Sequence, residues 1–207
     1  MGAALKLYYS AGACSLSPHI VLHELGNKFD VEAVDLGTKK TKSGKDYTKI
    51  NPKGYVPALA LDNGEILTEG PAILQYIADR APDKKLAPPA GSMERVRLQE
   101  WLNYITSELH KSFSPLFNKK ASEDWKSAAR ALLDRRIELV AQALDGRSYL
   151  MGETFSVADC YLFTVLNWTG WVAIDLSRWP SLAQYMQRVA ARPTVQAALK
   201  AEGLLKG

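Results

Sequence analysis

Hydrophobic and polar positions change rhythm at about residue 90 of this chain. Before it the apolar runs are short. Leu5-Lys6-Leu7-Tyr8-Tyr9 reads as a strand, and Ile20-Val21-Leu22 as the apolar part of a helix that stops at Gly26. Phe29-Asp30-Val31-Glu32-Ala33-Val34 reads as a second strand, in which apolar and charged residues roughly alternate. After a long connection, Pro57-Ala58-Leu59-Ala60-Leu61-Asp62 and Glu65-Ile66-Leu67 flank Asn63-Gly64, a pair that predicts a hairpin. Gly70-Pro71 then starts a helix with proline at its first position and Ile73-Leu74 and Tyr76-Ile77 on one face. Residues 5–80 thus predict β-α-β followed by β-β-α.

Beyond that point the strand signals vanish. Ala81 to Gly91 concentrates Pro, Gly, Ala and Lys, as an exposed linker does, and residues 92–207 carry helical patterns. Leu98, Leu102, Ile105 and Leu109 recur at steps of four, three and four. Ser156-Val157-Ala158-Asp159 is a capping box that feeds Tyr161-Leu162-Phe163, so a buried helix is expected there. The expected divisions are 1–81, a linker at 82–91, and an all-helical domain at 92–207.

Composition narrows the class. A chain of 207 residues with 47% hydrophobic content can build ordinary cores. Two cysteines and no secretory signal after Met1 predict a cytoplasmic protein without structural disulfides. The longest apolar stretch, Tyr161 to Ile174, is broken by Asn167 and is too short to span a bilayer, so no membrane partner is expected. The net charge of +4 lacks the broad basic face and motifs of a nucleic-acid protein. Lysines do gather in Lys39-Lys40-Thr41-Lys42-Ser43-Gly44-Lys45, either as a solvated connection or to reach a small anionic ligand.

Cys14 is the first candidate for chemistry. It follows a strand and the turn Ser10-Ala11-Gly12-Ala13, at the expected N-terminus of a helix. The positive end of the helix dipole favours a thiolate there. In Cys14-Ser15-Leu16-Ser17 a hydroxyl stands where a second sulfur would resolve a disulfide, so the residue can form a mixed disulfide but cannot close an internal one. Asn103, Ser107, His110 and Ser114 share one helical arc and suit either the wall of a polar pocket or plain surface. Glu69 beside the N-terminus at Gly70 suits an ammonium and a carboxylate together, or simply complements the helix dipole. His19 and His23 lack a third ligand at suitable spacing, so no metal is expected; His19 reads as structural, His23 as exposed and Cys160 as core.

Four stretches in order resemble the bacterial beta-class glutathione S-transferases: Leu7 to His19, Asn51-Pro52-Lys53-Gly54-Tyr55-Val56-Pro57, Leu67-Thr68-Glu69-Gly70, and Glu100 to Lys111. The similarity runs from about Leu5 to Leu205; Met1-Gly2-Ala3-Ala4 falls outside it, as an extension or a cloning remnant. The resemblance implies α/β plus all-α architecture: a thioredoxin-like domain, a helical-bundle domain, and a homodimer that binds glutathione as co-substrate at the domain boundary. It further implies that Cys14 contacts the glutathione sulfur, that the Val56 backbone pairs with the cysteinyl part, and that Pro57 is cis. Glu69 and the Gly70 amide would hold the γ-glutamyl end. Lys39, Asn103, Ser107 and His110 match positions that complete the site, with Lys111 beside it. Tyr9, Ser10 and Ser15 offer hydroxyls to a thiolate, and Cys14 and His110 are the catalytic candidates.

The activity so implied is transfer of the glutathione thiolate to electrophilic, mostly apolar small molecules. Phe113, Leu116, Phe117, Trp168 and Trp171 are the candidates for the electrophile site, each equally readable as core. Rival readings are thiol exchange through a mixed disulfide at Cys14, reductive dehalogenation, and non-catalytic binding of apolar ligands.

Overall fold

Five strands form one sheet in the order β3-β2-β1-β4-β5 in the computed structural model, which describes residues 5–205. The residues expected to be an extension, 1–4, lie outside the described ones. The strands are β1 (Lys6–Tyr9), β2 (Asp30–Asp35), β3 (Lys40–Thr41), β4 (Ala58–Ala60) and β5 (Ile66–Thr68). β1 and β2 run parallel, joined by α1 (Leu16–Leu25), and the other pairs are antiparallel. Tyr8, Val34 and Ala58 meet Tyr47 and Val56 in one buried cluster. Leu7 and Leu59 are buried too, as are Ile20 and Val21 of α1 and Ile73, Leu74 and Ile77 of α2 (Gly70–Asp79). Two-residue β3 is absent from the sequence reading, because Lys40-Thr41 has no alternating pattern to reveal it.

The β4–β5 hairpin forms where Asn63-Gly64 predicts it. Gly64 is left-handed at φ 86°; its N–H donates to Leu61 O at 3.0 Å while Leu61 N–H donates to Glu65 O at 2.8 Å. This is a three-residue loop that needs one left-handed residue, which glycine supplies without a Cβ penalty.

The described residues divide into two compact units, 5–87 with 191–205, and 88–190. The division falls between residues 87 and 88 and again between 190 and 191, so the segment from 191 onward belongs to the first unit. There α8 (Pro193–Ala201) packs on α1. Arg192 donates to Glu24 Oε1 from Nε at 3.0 Å and Nη2 at 2.7 Å, and the Thr194 hydroxyl donates to the same oxygen.

The second unit is helical: α3 (Met93–Tyr104), α4 (Ser114–Phe117), α5 (Glu123–Ala143), α6 (Val157–Asn167) and α7 (Pro180–Ala190). Leu98, Leu102, Ile105 and Leu109 are all buried, as their spacing predicts. The winding nevertheless changes: residues 105–109 are π-wound and 110–113 are 3-10. Hydroxyls of Thr106, Ser107 and Ser112 donate to the carbonyls of Leu102, Asn103 and Glu108 at 2.7, 3.0 and 2.6 Å. Such bonds four residues back compete with the helix's own N–H groups and disturb regular winding.

At α6 the expected cap is present. Ser156 N–H and hydroxyl donate to Asp159 Oδ2 at 2.8 and 2.9 Å, Leu150 N–H donates to Oδ1 at 2.9 Å, and residues 157–166 are buried. Burial pushes the Asp159 carboxyl up to about 6 against the pull of these donors. Among the described residues no helix is long and apolar enough to cross a membrane.

Candidate functional site

In the first unit the chain leaves β1 through a closed turn. Ala13 N–H donates to Ser10 O at 3.0 Å, and the Ser15 hydroxyl bridges Ser10, accepting from its N–H at 3.1 Å and donating to its carbonyl at 3.2 Å. Ser15 is fully buried, so its hydroxyl serves the turn and is not offered to a thiolate. Gly12, left-handed at φ 72°, donates its N–H to Glu202 Oε2 at 2.8 Å. The other Glu202 oxygen lies 2.8 Å from His19 Nδ1. His19 is structural as expected, but His23 is not exposed. Its ring is half-buried, stacks on His19 at 5.1 Å and meets Phe29 edge-on at 5.1 Å. Burial, then the neighbouring His19, lowers the His23 pKa.

Cys14 stands just before Ser15, the N-cap of α1, and is partly exposed. Its thiol donates to Val56 O at 3.2 Å. Ser17, the last residue of the C-x-x-S, donates its hydroxyl to the Cys14 carbonyl at 2.7 Å.

Val56 is positioned by the loop that precedes it. Asn51 is buried; its side-chain amide donates to Tyr55 O at 2.7 Å, and Tyr47 OH donates to the same carbonyl at 3.1 Å. Lys39, itself left-handed at φ 58°, donates from Nζ to Gly54 O at 2.8 Å. The Val56–Pro57 peptide is cis.

Glu69 is the N-cap of α2 and adopts φ 71°, ψ 117°, a backbone region that costs a residue with a Cβ about 1–3 kcal/mol. Its exposed carboxylate pairs with Lys53 and accepts from Tyr55 OH at 3.3 Å. Lys53 is a partner the sequence does not signal. A Cβ at Gly70 would meet open space. Tyr9 places its ring 5.6 Å from His19, and burial followed by the Glu202 charge raises its phenol pKa.

In the second unit, Asn103, Ser107, Ser114 and Lys111 are exposed and His110 is half-buried. The Ser107 hydroxyl also reaches Glu108 Oε1 at 3.2 Å. His110 Nδ1 lies 2.7 Å from Tyr161 OH, and its ring meets Trp168 edge-on at 4.8 Å. Burial, then the Lys111 charge, lowers its pKa to about 4, so the imidazole is neutral at neutral pH. Tyr161 OH and Nδ1 share one hydrogen bond, and a neutral imidazole carries a single N–H, so one ring nitrogen donates and the other accepts.

The aromatic candidates converge. Phe113 stacks on Phe117 at 6.1 Å, Trp168 meets both edge-on, and Phe117 meets Trp171 at 6.4 Å. Phe113 and Trp168 are buried, whereas Phe117 is 45% and Trp171 59% exposed. Leu116 is half-buried on α4. Among the described residues no group of three or more His, Cys, Asp or Glu is placed to hold a metal ion.

Residues 3–79 match the family model for the glutathione S-transferase N-terminal domain, and residues 104–193 the one for its C-terminal domain. The chain is 49% identical over 200 residues to the glutathione S-transferase GstA of Escherichia coli O157:H7, covering 97% of this chain and all of that one. It is similar to BphK, a bacterial glutathione transferase solved as a ternary complex, at 60% identity and TM-score 0.95, over 96% of this chain and all of BphK. A bacterial beta-class enzyme from Sphingomonas chungbukensis superposes at 50% identity and TM-score 0.94, over 97% of this chain and all of its own. With the sheet unit, the helical unit and the Cys14 turn described above, these matches establish that the chain belongs to the bacterial beta-class glutathione S-transferases.

Proposed function

We propose that this transferase holds glutathione against Cys14 and the Val56–Pro57 segment and delivers its thiolate to apolar electrophiles. The observation that carries this reading is the Cys14 thiol at 3.2 Å from Val56 O, on the unit that also presents Glu69 at the N-terminus of α2. Glu69 has the charge to receive the γ-glutamyl ammonium in exchange for Lys53. The Gly70 amide, with open space beside it, suits the neighbouring carboxylate. Tyr9 and Lys39 complete this unit's contribution. Asn103, Ser107, His110 and Lys111 are assigned to glutathione by the family resemblance, His110 acting as a neutral imidazole.

In the reaction the glutathione S–H gives up its proton to solvent, the sulfur bonds to the electrophilic carbon, and the leaving group departs with the electron pair of the broken bond. Acceleration comes from a larger thiolate fraction and from proximity. Phe117 and Trp171, with Leu116, Phe113 and Trp168 behind them, supply an aromatic surface for the electrophile.

A content of only two cysteines suits the cytoplasm, and Met93 and Val96, exposed at 65% and 50%, suit cover by a second copy in a homodimer. Steady-state conjugation of glutathione to 1-chloro-2,4-dinitrobenzene tests the reading: Trp171→Ala should raise KM for the halide several-fold and leave KM for glutathione unchanged. A rise in both, or in neither, removes the aromatic surface from the electrophile site.

A further inference from the structure

His110 follows the π-wound turn of the helical unit, and its backbone N–H donates to Ile105 O, five residues back. That wider turn moves His110 off the arc that an unbroken α-helix would give it with Asn103 and Ser107. There its ring meets two aromatic residues. Tyr161 OH lies 2.7 Å from Nδ1, and the Trp168 ring stands 4.8 Å away, inclined at 72°. Tyr161 and Trp168 are about two helical turns apart, so they lie on one face of α6 and the turn that continues it. Both are buried. We propose that Tyr161 is a positioning residue for glutathione transfer: its hydroxyl donates to His110 Nδ1 and so fixes both the plane of the imidazole and its proton on Nε2.

This rests on the reading above in which His110 completes the glutathione site. A free histidine ring turns over a broad, two-fold χ2, and its proton is shared between two nitrogens. A hydrogen bond at one nitrogen settles which of them carries it. A phenol, with a pKa of about 10, is a much stronger acid than a neutral imidazole N–H, and the bare ring nitrogen is a base, so O–H to Nδ1 is the favoured sense of the bond. Burial and the Lys111 charge keep the ring neutral, so one nitrogen alone is protonated. Tyr161 is itself well fixed, since α6 starts at the bonded Ser156–Asp159 cap and residues 157–166 are buried. A buried phenol needs a polar partner, and Nδ1 is one. Nε2 of His110 has no partner among the described residues and is not sealed in, unlike Nε2 of His23, which is both buried and unpaired. It is the ring atom left for a ligand.

Ring-nitrogen NMR of the full chain, grown with isotope-labelled histidine, tests the proposal. The chain has three histidines, and the His110 signals are those missing from His110→Gln. At neutral pH the parent should show a protonated Nε2 and a bare Nδ1. Tyr161→Phe, which keeps the ring and removes one oxygen, should mix the two tautomers. It should also lower kcat/KM for conjugation of glutathione to 1-chloro-2,4-dinitrobenzene about tenfold, the effect of one lost buried hydrogen bond. His110→Gln should lose at least as much, and adding Tyr161→Phe to it should cost little more, because both act through one imidazole. A protonated Nδ1 in the parent would overturn the proposal without recourse to any variant. So would an unchanged tautomer or unchanged kcat/KM in Tyr161→Phe while His110→Gln is impaired, or independent losses in the double variant. Unchanged kcat/KM in His110→Gln would instead remove His110 from the transfer reaction, and the role of Tyr161 would fall with it.

Discussion

Glu202 joins the two ends of the first unit: one carboxylate oxygen lies 2.8 Å from His19 Nδ1 and the other accepts the Gly12 N–H at 2.8 Å, all three groups buried. The Cys14 turn is therefore held from beneath by a residue 190 positions away. Truncation of Glu202 to Ala leaves a buried amide and a buried imidazole without their acceptor, each worth about 1–3 kcal/mol. Glu202→Ala should lower stability by about 3 kcal/mol in urea unfolding and speed Cys14 alkylation in the folded protein. Unchanged alkylation alongside lower stability would mean that Glu202 supports the fold without shaping the turn.

Local chemistry was legible in the sequence, and distant pairing was not. Asn63-Gly64, the Ser156–Asp159 cap and the buried Leu98-Leu102-Ile105-Leu109 row follow from residues a few positions apart. Glu202, Lys53 and the 191–205 segment carry no such signal, because their roles arise from partners brought together by the fold. His23 misleads for the same reason: a polar residue near a helix end reads as wet until Phe29 covers it. The arc from Asn103 to Ser114 presumes one continuous α-helix, and the π-wound turn at 105–109 breaks that geometry. The family resemblance supplied the cis Pro57, which nothing in the local pattern requires.

Glu69→Gln should weaken glutathione binding by about 1–2 kcal/mol in a calorimetric titration. The carboxylate is exposed and already pairs with Lys53, so part of its interaction with the ligand ammonium replaces an existing one. Gly70→Ser should bind like the parent, since the added side chain enters open space and leaves the amide in place. Equal affinity in Glu69→Gln and the parent would take the γ-glutamyl role from Glu69.

His110 and Asp159 should impose opposite pH dependences on stability. Native His110 stays neutral down to about pH 4, whereas an unfolded imidazole protonates near 6.5. Between those values the unfolded chain binds a proton that the native chain does not, so stability falls as pH falls. Asp159 protonates near 6 in the native state and near 3.8 when unfolded, so its contribution rises as pH falls through the same window. His110→Gln should therefore lose less stability, or gain some, between pH 6.5 and 4.5 relative to the parent. Parallel urea midpoints in the two proteins across that range would contradict the buried neutral imidazole.

Glutathione conjugation and thiol exchange make different demands on Cys14. Its partly exposed thiolate can attack a sulfur of oxidised glutathione, forming a mixed disulfide and releasing one glutathione, while Cys160 is fully buried. Ser17 donates its hydroxyl to the Cys14 carbonyl and has no sulfur with which to resolve the adduct. Intact-mass analysis after treatment with oxidised glutathione should show one adduct, absent from Cys14→Ala. Conjugation needs only the ligand's own thiolate, so Cys14→Ala should keep substantial activity toward an aromatic halide. Thiol exchange through the protein sulfur should collapse in the same variant. Comparable loss of both activities, in a variant that still binds glutathione, would make Cys14 indispensable to conjugation as well.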